Sequence, residues 1–203
     1  TLIDSLDDLT ETINYALSQV VETREYSRDE TRRWIGKGVK RFIIDALGDK
    51  YSPQTFAKVR EHYLAYYRTV MGKHTRCYDG IPELLKSINA GRKMAVFSNK
   101  NTEFIPSLLE HFELDEYFET YLGGDNPAGR KPLPGGVIQM MSQCGASAGE
   151  TLIVGDMPVD ILTAQAAGID CCAVLWGYGK PDELYSCNPS HVINEPNQLA
   201  ALL

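Results

Sequence analysis

A hydroxyl, an ammonium and two carboxylates occur in an order suited to handling a phosphate ester: Ser98, Lys131, Asp156 and Asp160. The apolar run Met94-Ala95-Val96-Phe97 delivers Ser98-Asn99-Lys100, where the Ser98 hydroxyl and exposed N–H groups, that of Asn99 included, can hold a phosphate oxygen. A second run, Thr151-Leu152-Ile153-Val154, delivers Gly155-Asp156, with Asp160 four residues later. Two carboxylates at one strand end suit Mg2+, which takes one or two carboxylates and fills its shell with waters and substrate oxygens. Asp156 then reads as a direct ligand and Asp160 as a supporting or water-mediated partner. Lys131 falls in a stretch rich in Gly and Pro from Gly123 to Gly136, which predicts a loop.

Each feature alone has a plainer reading: a helix N-cap for Ser98, first-turn helix charges for the aspartates, a solvated amine for Lys131. Together and in this order they compose a phosphate site from a hydroxyl, an ammonium and a metal. His62, His74, His111 and His191 show no metal-ligand or triad spacing and read as surface or packing residues. The five cysteines are odd in number and lack a C-x-x-C pair, so they read as reduced thiols and not as a disulfide framework or zinc site.

The elements that must position these residues fall into two grammars. Leu6, Leu9, Ile13, Leu17 and Val20 recur at helical spacing behind Asp4 or Ser5 as N-cap. Ser52-Pro53 caps a second long helix with Phe56, Val59, Tyr63, Tyr67 and Val70 on its apolar face, ending at Gly72. Residues 6–77 thus read as an all-helical domain. Beyond Tyr78-Asp79-Gly80-Ile81-Pro82, short apolar runs at Met94–Phe97, Thr151–Val154 and Cys172–Leu175 alternate with helical patterns near Pro82–Asn89, Thr102–Phe112, Pro134–Gln143 and Val159–Ala167. A further helix is expected after Pro196. This alternation predicts an α/β domain over 78–203, completed by 1–5, with a parallel sheet covered on both faces. Ligands of such sheets sit beyond the carboxyl ends of the strands, where Ser98 and Asp156 fall.

Composition narrows the partners. The 203 residues are 43% hydrophobic, enough for a filled core with an appendage. No apolar run approaches the roughly 20 residues that cross a bilayer, and the opening residues lack a basic secretory start, so a soluble, cytoplasmic protein is expected. A net charge of −7 argues against a nucleic-acid backbone as partner, whereas a small phosphorylated metabolite needs only a local positive site. Nothing in the sequence signals an oligomeric state.

On Ser98-Asn99, Lys131 and Gly155-Asp156-Met157-Pro158-Val159-Asp160 the chain resembles the haloacid dehalogenase-like hydrolase superfamily, over essentially its whole length. Thr1-Leu2-Ile3-Asp4-Ser5, Arg33-Trp34-Ile35-Gly36-Lys37-Gly38, Tyr78-Asp79-Gly80-Ile81 and Trp176-Gly177-Tyr178-Gly179 are similar to the phosphoglycolate phosphatase branch. The resemblance implies a Rossmann-like core with an inserted helical cap and two-step phosphoryl transfer through an aspartyl-phosphate. It also implies that Asp156 holds magnesium, Ser98 and the Asn99 N–H bind the transferring group, Lys131 offsets charge, and Asp160 orients the metal shell or Lys131. In the cap, Arg33 and Lys37 could meet a substrate carboxylate beside a loop freed by Gly36 and Gly38, or could form a solvated basic patch; Trp34 and Ile35 read as cap core.

The family's first motif, D-x-D-G-T-L, is matched here only from its Thr. Its aspartates, one the nucleophile, and their strand are expected upstream of Thr1, and the chain as given is expected to be inactive without them. Asp4 reads as a helix-capping residue. Pyrophosphatase, sugar-phosphate phosphatase or mutase chemistry would share the core, and a non-catalytic phosphate- or partner-binding role would follow if no upstream motif exists.

Overall fold

In the computed structural model, which describes residues 1–203, the chain divides into a helical unit, Ile3–Arg76, and an α/β unit formed by Thr1–Leu2 and Cys77–Leu203. The short strands β1 (Ile3–Asp4) and β2 (Arg76–Cys77) pair where the chain passes from one unit to the other. The expected boundaries at Leu6 and Cys77 differ from these by a few residues.

The helical unit holds α1 (Leu6–Ser18), α2 (Arg28–Arg32), α3 (Gly38–Leu47) and α4 (Pro53–Val70). α4 starts where Ser52-Pro53 directs it: the Ser52 hydroxyl accepts the Thr55 N–H at 3.0 Å, and proline takes the first helical position, where no N–H is needed. At α1 the cap differs from a simple reading. Ser5 occupies the N-cap position without a side-chain capping bond, and Asp4 Oδ1 accepts the Leu6 N–H instead at 3.1 Å. The buried face of α1 comprises Leu6, Ile13, Ala16 and Leu17 together with Asp8 and Thr12, while Leu9 and Val20 are only half-buried. The stripe is rotated because Asp8 turns inward, where its carboxylate accepts the N–H groups of Gly72, His74 and Thr75 and the Thr75 hydroxyl. A buried carboxylate is tolerated when every lone pair it presents finds a donor. Around Phe42 an edge-to-face aromatic series runs from Tyr26 through Trp34 to Tyr63. Trp34 and Ile35 are themselves half-buried.

The α/β unit runs α5 (Ile81–Ile88), β3 (Ala95–Phe97), α6 (Ile105–His111), β4 (Thr120–Leu122), α7 (Gly135–Cys144), β5 (Leu152–Gly155), α8 (Pro158–Ala167), β6 (Asp170–Val174), α9 (Pro181–Ser186) and β7 (His191–Ile193). All its pairings are parallel, in two sheets: β3 with β4, and β5-β6-β7 with β6 central. Register places Phe97 beside Leu122 and Gly155 beside Ala173, so β3 and β4 end level with one another and β6 runs one residue past β5. The period of two along β6 sends Cys171 and Ala173 to a cluster with Ile161, Ala164 and Leu184, and Cys172 and Val174 to a cluster with Leu84, Ile88 and Leu199. Helices on both faces thus bury this strand completely from Cys171 to Val174, as βαβ crossovers do.

Two expected elements change character. The helix expected over Thr102–Phe112 is a 3-10 turn, Thr102–Phe104, leading into α6, because Pro106 near the start of α6 lacks the N–H that a continuous α-helix would use. The expected final helix is a 3-10 segment, Pro196–Ala201. β4 and β7 have no counterpart in the sequence reading. No helix is long and apolar enough to cross a membrane.

Candidate active site

The carboxyl ends of β3 and β5 supply the site, and the loop between β4 and α7 supplies its amine. Ser98 extends the β3–β4 pairing by donating its N–H to the Leu122 carbonyl at 3.0 Å, and its Oγ accepts the Lys100 N–H at 3.1 Å. That hydroxyl closes a turn through its oxygen and keeps its proton to donate. The facing loop is drawn against this one: Asp125 Oδ1 accepts the N–H and hydroxyl of Thr102 at 2.8 and 2.6 Å, and the Gly124 N–H donates to the Lys100 carbonyl at 2.8 Å. A Cβ at Gly124 would lie 2.6 Å from the Asn99 carbonyl oxygen, so only glycine allows that approach.

Lys131 reaches Asp160. Its Nζ donates to Oδ1 at 2.6 Å, with the two side chains 15% and 4% exposed. The Phe97 ring, at the end of β3, lies under the ammonium at 5.7 Å from its centroid. Asp160 is the third residue of α8; its Oδ2 accepts the Met157 N–H at 2.9 Å, the carboxylate half of a capping box. The pair is therefore aimed by a helix terminus and not by solvent. Gly155 is required beneath it, because a Cβ there would fall 2.3 Å from Asp160 Cβ.

Asp156 is buried and enclosed by residues from both ends of the unit. Thr1 donates to Oδ1 through its nitrogen at 2.8 Å and its hydroxyl at 2.5 Å; the Tyr178 N–H donates to Oδ2 at 2.8 Å. The Gly179 N–H meets the Asp156 carbonyl at 3.0 Å, and the Trp176 indole N–H holds the Thr1 carbonyl at 2.9 Å. Burial by itself would raise the Asp156 carboxyl; the Thr1 hydroxyl at Oδ1 and the Tyr178 N–H at Oδ2 oppose it by favouring the ionised form. Gly177 passes so close that a Cβ would sit 2.2 Å from Asp156 Cβ.

Of the residues singled out in the sequence, Asn99, Lys131 and Asp160 are linked by hydrogen bonds, Ser98 directly precedes Asn99, and Asp156 is held separately by Thr1 and Tyr178. Arg33, Gly36 and Lys37 belong to the helical unit, where Arg33 and Lys37 are exposed at the end of α2 and the start of α3 and Gly36 has a φ of 96°. Sequence reading missed the side-chain role of Asn99, whose amide bonds the main chain of Lys131, and the closeness of Thr1 and Trp176–Gly179 to Asp156. The paired glycines at 177 and 179 were the available signal, since glycine marks close backbone approach. Burial, with Asp160 adding to it, pushes the Cys171 thiol up to about 12, and burial pushes Cys172 up to about 11, which favours the protonated thiol in both.

A divalent cation implied by this class of site has a partial fit. Asp156 offers a buried hard oxygen, and no group of three or more His, Cys, Asp or Glu side chains forms a closed cage. That suits a cation completed by water and substrate, as magnesium is.

The family model for haloacid dehalogenase-like hydrolases matches residues 1–174. The chain belongs to that family. It is 33% identical over 204 residues to the phosphoglycolate phosphatase of Aquifex aeolicus (strain VF5), covering 100% of this chain and 92% of that protein. The phosphoglycolate phosphatase of Colwellia psychrerythraea (strain 34H / ATCC BAA-681) is 31% identical over 206 residues, covering 98% and 91%. Among solved structures, that of a predicted phosphoglycolate phosphatase from Haemophilus somnus 129pt superposes with a TM-score of 0.93 at 26% identity, covering 100% of this chain and 93% of that one. The haloacid dehalogenase-like α/β fold follows from this match, and the chain is a hydrolase of the phosphoglycolate phosphatase-like branch.

Proposed function

We propose that this hydrolase is a magnesium-dependent phosphatase of small phosphate monoesters in the cytoplasm, with phosphoglycolate the favoured substrate. The observation that carries the reading is the Lys131–Asp160 ion pair at 2.6 Å, whose lysine is tied by its backbone to Asn99, the residue after Ser98, and whose carboxylate lies four positions after Asp156 in the chain. A hydroxyl donor, a fixed ammonium and a hard anionic ligand at the carboxyl ends of parallel strands are what a transferring phosphoryl group requires, because such catalysis is chiefly positioning and charge neutralisation. Relatives named phosphoglycolate phosphatases over nearly the whole chain support the substrate class.

In this scheme an aspartate carboxylate from residues preceding Thr1 attacks phosphorus, and the P–O bond to the leaving alcohol breaks as that oxygen takes a proton. Water then attacks the aspartyl-phosphate, freeing inorganic phosphate and restoring the carboxylate. Ser98 Oγ–H and the Asn99 N–H hold the phosphoryl oxygens. Lys131 offsets the charge that builds on them, and Asp160 keeps the ammonium in place. Asp156 would hold the cation, which supplies charge neutralisation when bound. Arg33 and Lys37, exposed beside the loop at Gly36 in the helical unit, are the groups assigned to a substrate carboxylate.

The test is phosphate release from phosphoglycolate, inorganic pyrophosphate and a set of sugar phosphates, with and without magnesium. It compares this chain with one extended through its upstream reading frame. Metal-dependent release from phosphoglycolate above the others is expected; a folded extended chain that hydrolyses none of them sinks the proposal.

A further inference from the structure

Lys131 is gripped at two points. Its ammonium meets Asp160, and its main chain meets a single side chain: Asn99 Nδ2 donates to the Lys131 carbonyl at 3.0 Å, and Asn99 Oδ1 accepts the Lys131 N–H at 2.9 Å. The orientation of that amide follows from its partners, since a carbonyl can only accept and an N–H can only donate; a flipped Asn99 would lose both bonds. One side chain thus meets both backbone groups of one residue, as a neighbouring strand does in a hydrogen-bonded antiparallel pair.

Gly124 and Asp125 tie the start of the loop to Lys100 and Thr102, but nearer Lys131 the bonds of Gly129 N–H to the Asn126 carbonyl and Leu133 N–H to the Arg130 carbonyl join only near neighbours. Asn99 reaches Lys131 across 32 positions in sequence, and it directly follows Ser98, the proposed phosphate-binding hydroxyl. A lysine stem is long and flexible, so a fixed ammonium needs a fixed Cα as well as a partner at its tip. Of the three ammonium protons, one is taken by Asp160, which leaves donors for a phosphoryl oxygen.

We propose that the Asn99 side chain is a positioning residue that ties the Lys131 backbone to the Ser98 turn, so that ammonium and hydroxyl address the same phosphoryl group. This rests on the phosphatase reading above and assigns to Asn99 a role distinct from the donation of its backbone N–H to substrate.

The test is calorimetric titration of inorganic phosphate, with magnesium present, into the full chain and into Asn99→Ala, Lys131→Ala and the double variant. Asn99→Ala should weaken phosphate binding about tenfold, the scale of a small misplacement of a binding group. On the Lys131→Ala background the same change should cost almost nothing, because residues acting as one unit are not additive. Amide exchange gives a readout apart from binding: the Lys131 N–H should exchange faster in Asn99→Ala while the amides of Cys172 and Val174 stay protected. Should those core amides open too, Asn99→Asp, which keeps an acceptor for the N–H and loses the donor to the carbonyl, repeats the comparison in a folded chain. Unchanged phosphate affinity in Asn99→Ala while Lys131→Ala binds more weakly, or a fully additive loss in the double, overturns the positioning role alone; unchanged affinity in Lys131→Ala overturns the phosphate role of Lys131 as well. A parent chain that binds no phosphate overturns the phosphatase reading and this role with it.

Discussion

Asp8 in the helical unit and Asp160 in the α/β unit occupy the same local position. Each is the third residue of its helix, and each is buried, at 0% and 3% exposure. Their partners differ. Asp8 is enclosed by neutral donors, the N–H groups of Gly72, His74 and Thr75 and one hydroxyl, all from a single turn. Asp160 accepts one backbone N–H and one ammonium, which a loop carries to it from 29 positions away. A carboxylate satisfied wholly by backbone fastens a loop. A carboxylate that shares itself with a mobile cation fixes that cation's direction while leaving its other protons available. Burial is alike in the two; the kind of donor separates the acid that fastens a loop from the one proposed to work in the site.

Substitution can break this comparison. The largest effect is expected from replacing the working pair by neutral groups, Lys131→Met with Asp160→Asn. Turnover in the hydrolytically active form should fall about 100- to 1000-fold, the usual loss when a charge-stabilising donor is removed. Stability should change little, because a buried ion pair exchanged for neutral groups of similar size is often near neutral. Steady-state kinetics and denaturant unfolding on the same preparation check both halves; a large stability loss with turnover retained would reverse the assignment.

Asp8→Ala should do the opposite. It strands several buried donors at once, so unfolding free energy should drop by roughly 3 kcal/mol or more in a denaturant titration. Phosphate affinity per folded molecule should stay unchanged. Smaller again, Gly177→Ala should displace Asp156, against which its new Cβ would lie 2.2 Å from Cβ. Magnesium binding by calorimetry should weaken about tenfold, as when the supports of a metal ligand are altered. Unaltered metal affinity would mean that Asp156 does not depend on the 176–179 loop.

Much of the fold is legible locally. Ser52-Pro53 marks the start of α4, the run ending at Val154 marks β5, and Gly168 closes α8. The short strands are not legible. β4 is three residues long with Tyr121 exposed, and β7 opens on exposed His191; edge positions need no continuous apolar run, so they carry no pattern. The site divides the same way. Ser98, Asp156 and Asp160 follow from strand ends, where parallel sheets present their ligands. The inward turn of Asp8 and the amide of Asn99 depend on partners distant in sequence, and no local window contains both members of such a pair.

Gly155 and Gly177 have been treated as places where a side chain will not fit. A Cβ at the first strikes Asp160, and one at the second strikes Asp156. Because the atom struck in each case is the Cβ that every residue but glycine carries, exchanging the acid alone would not make room. A side chain at either glycine has to move the backbone that carries the acid, so these two positions set where the carboxylates stand and not merely how they are protonated.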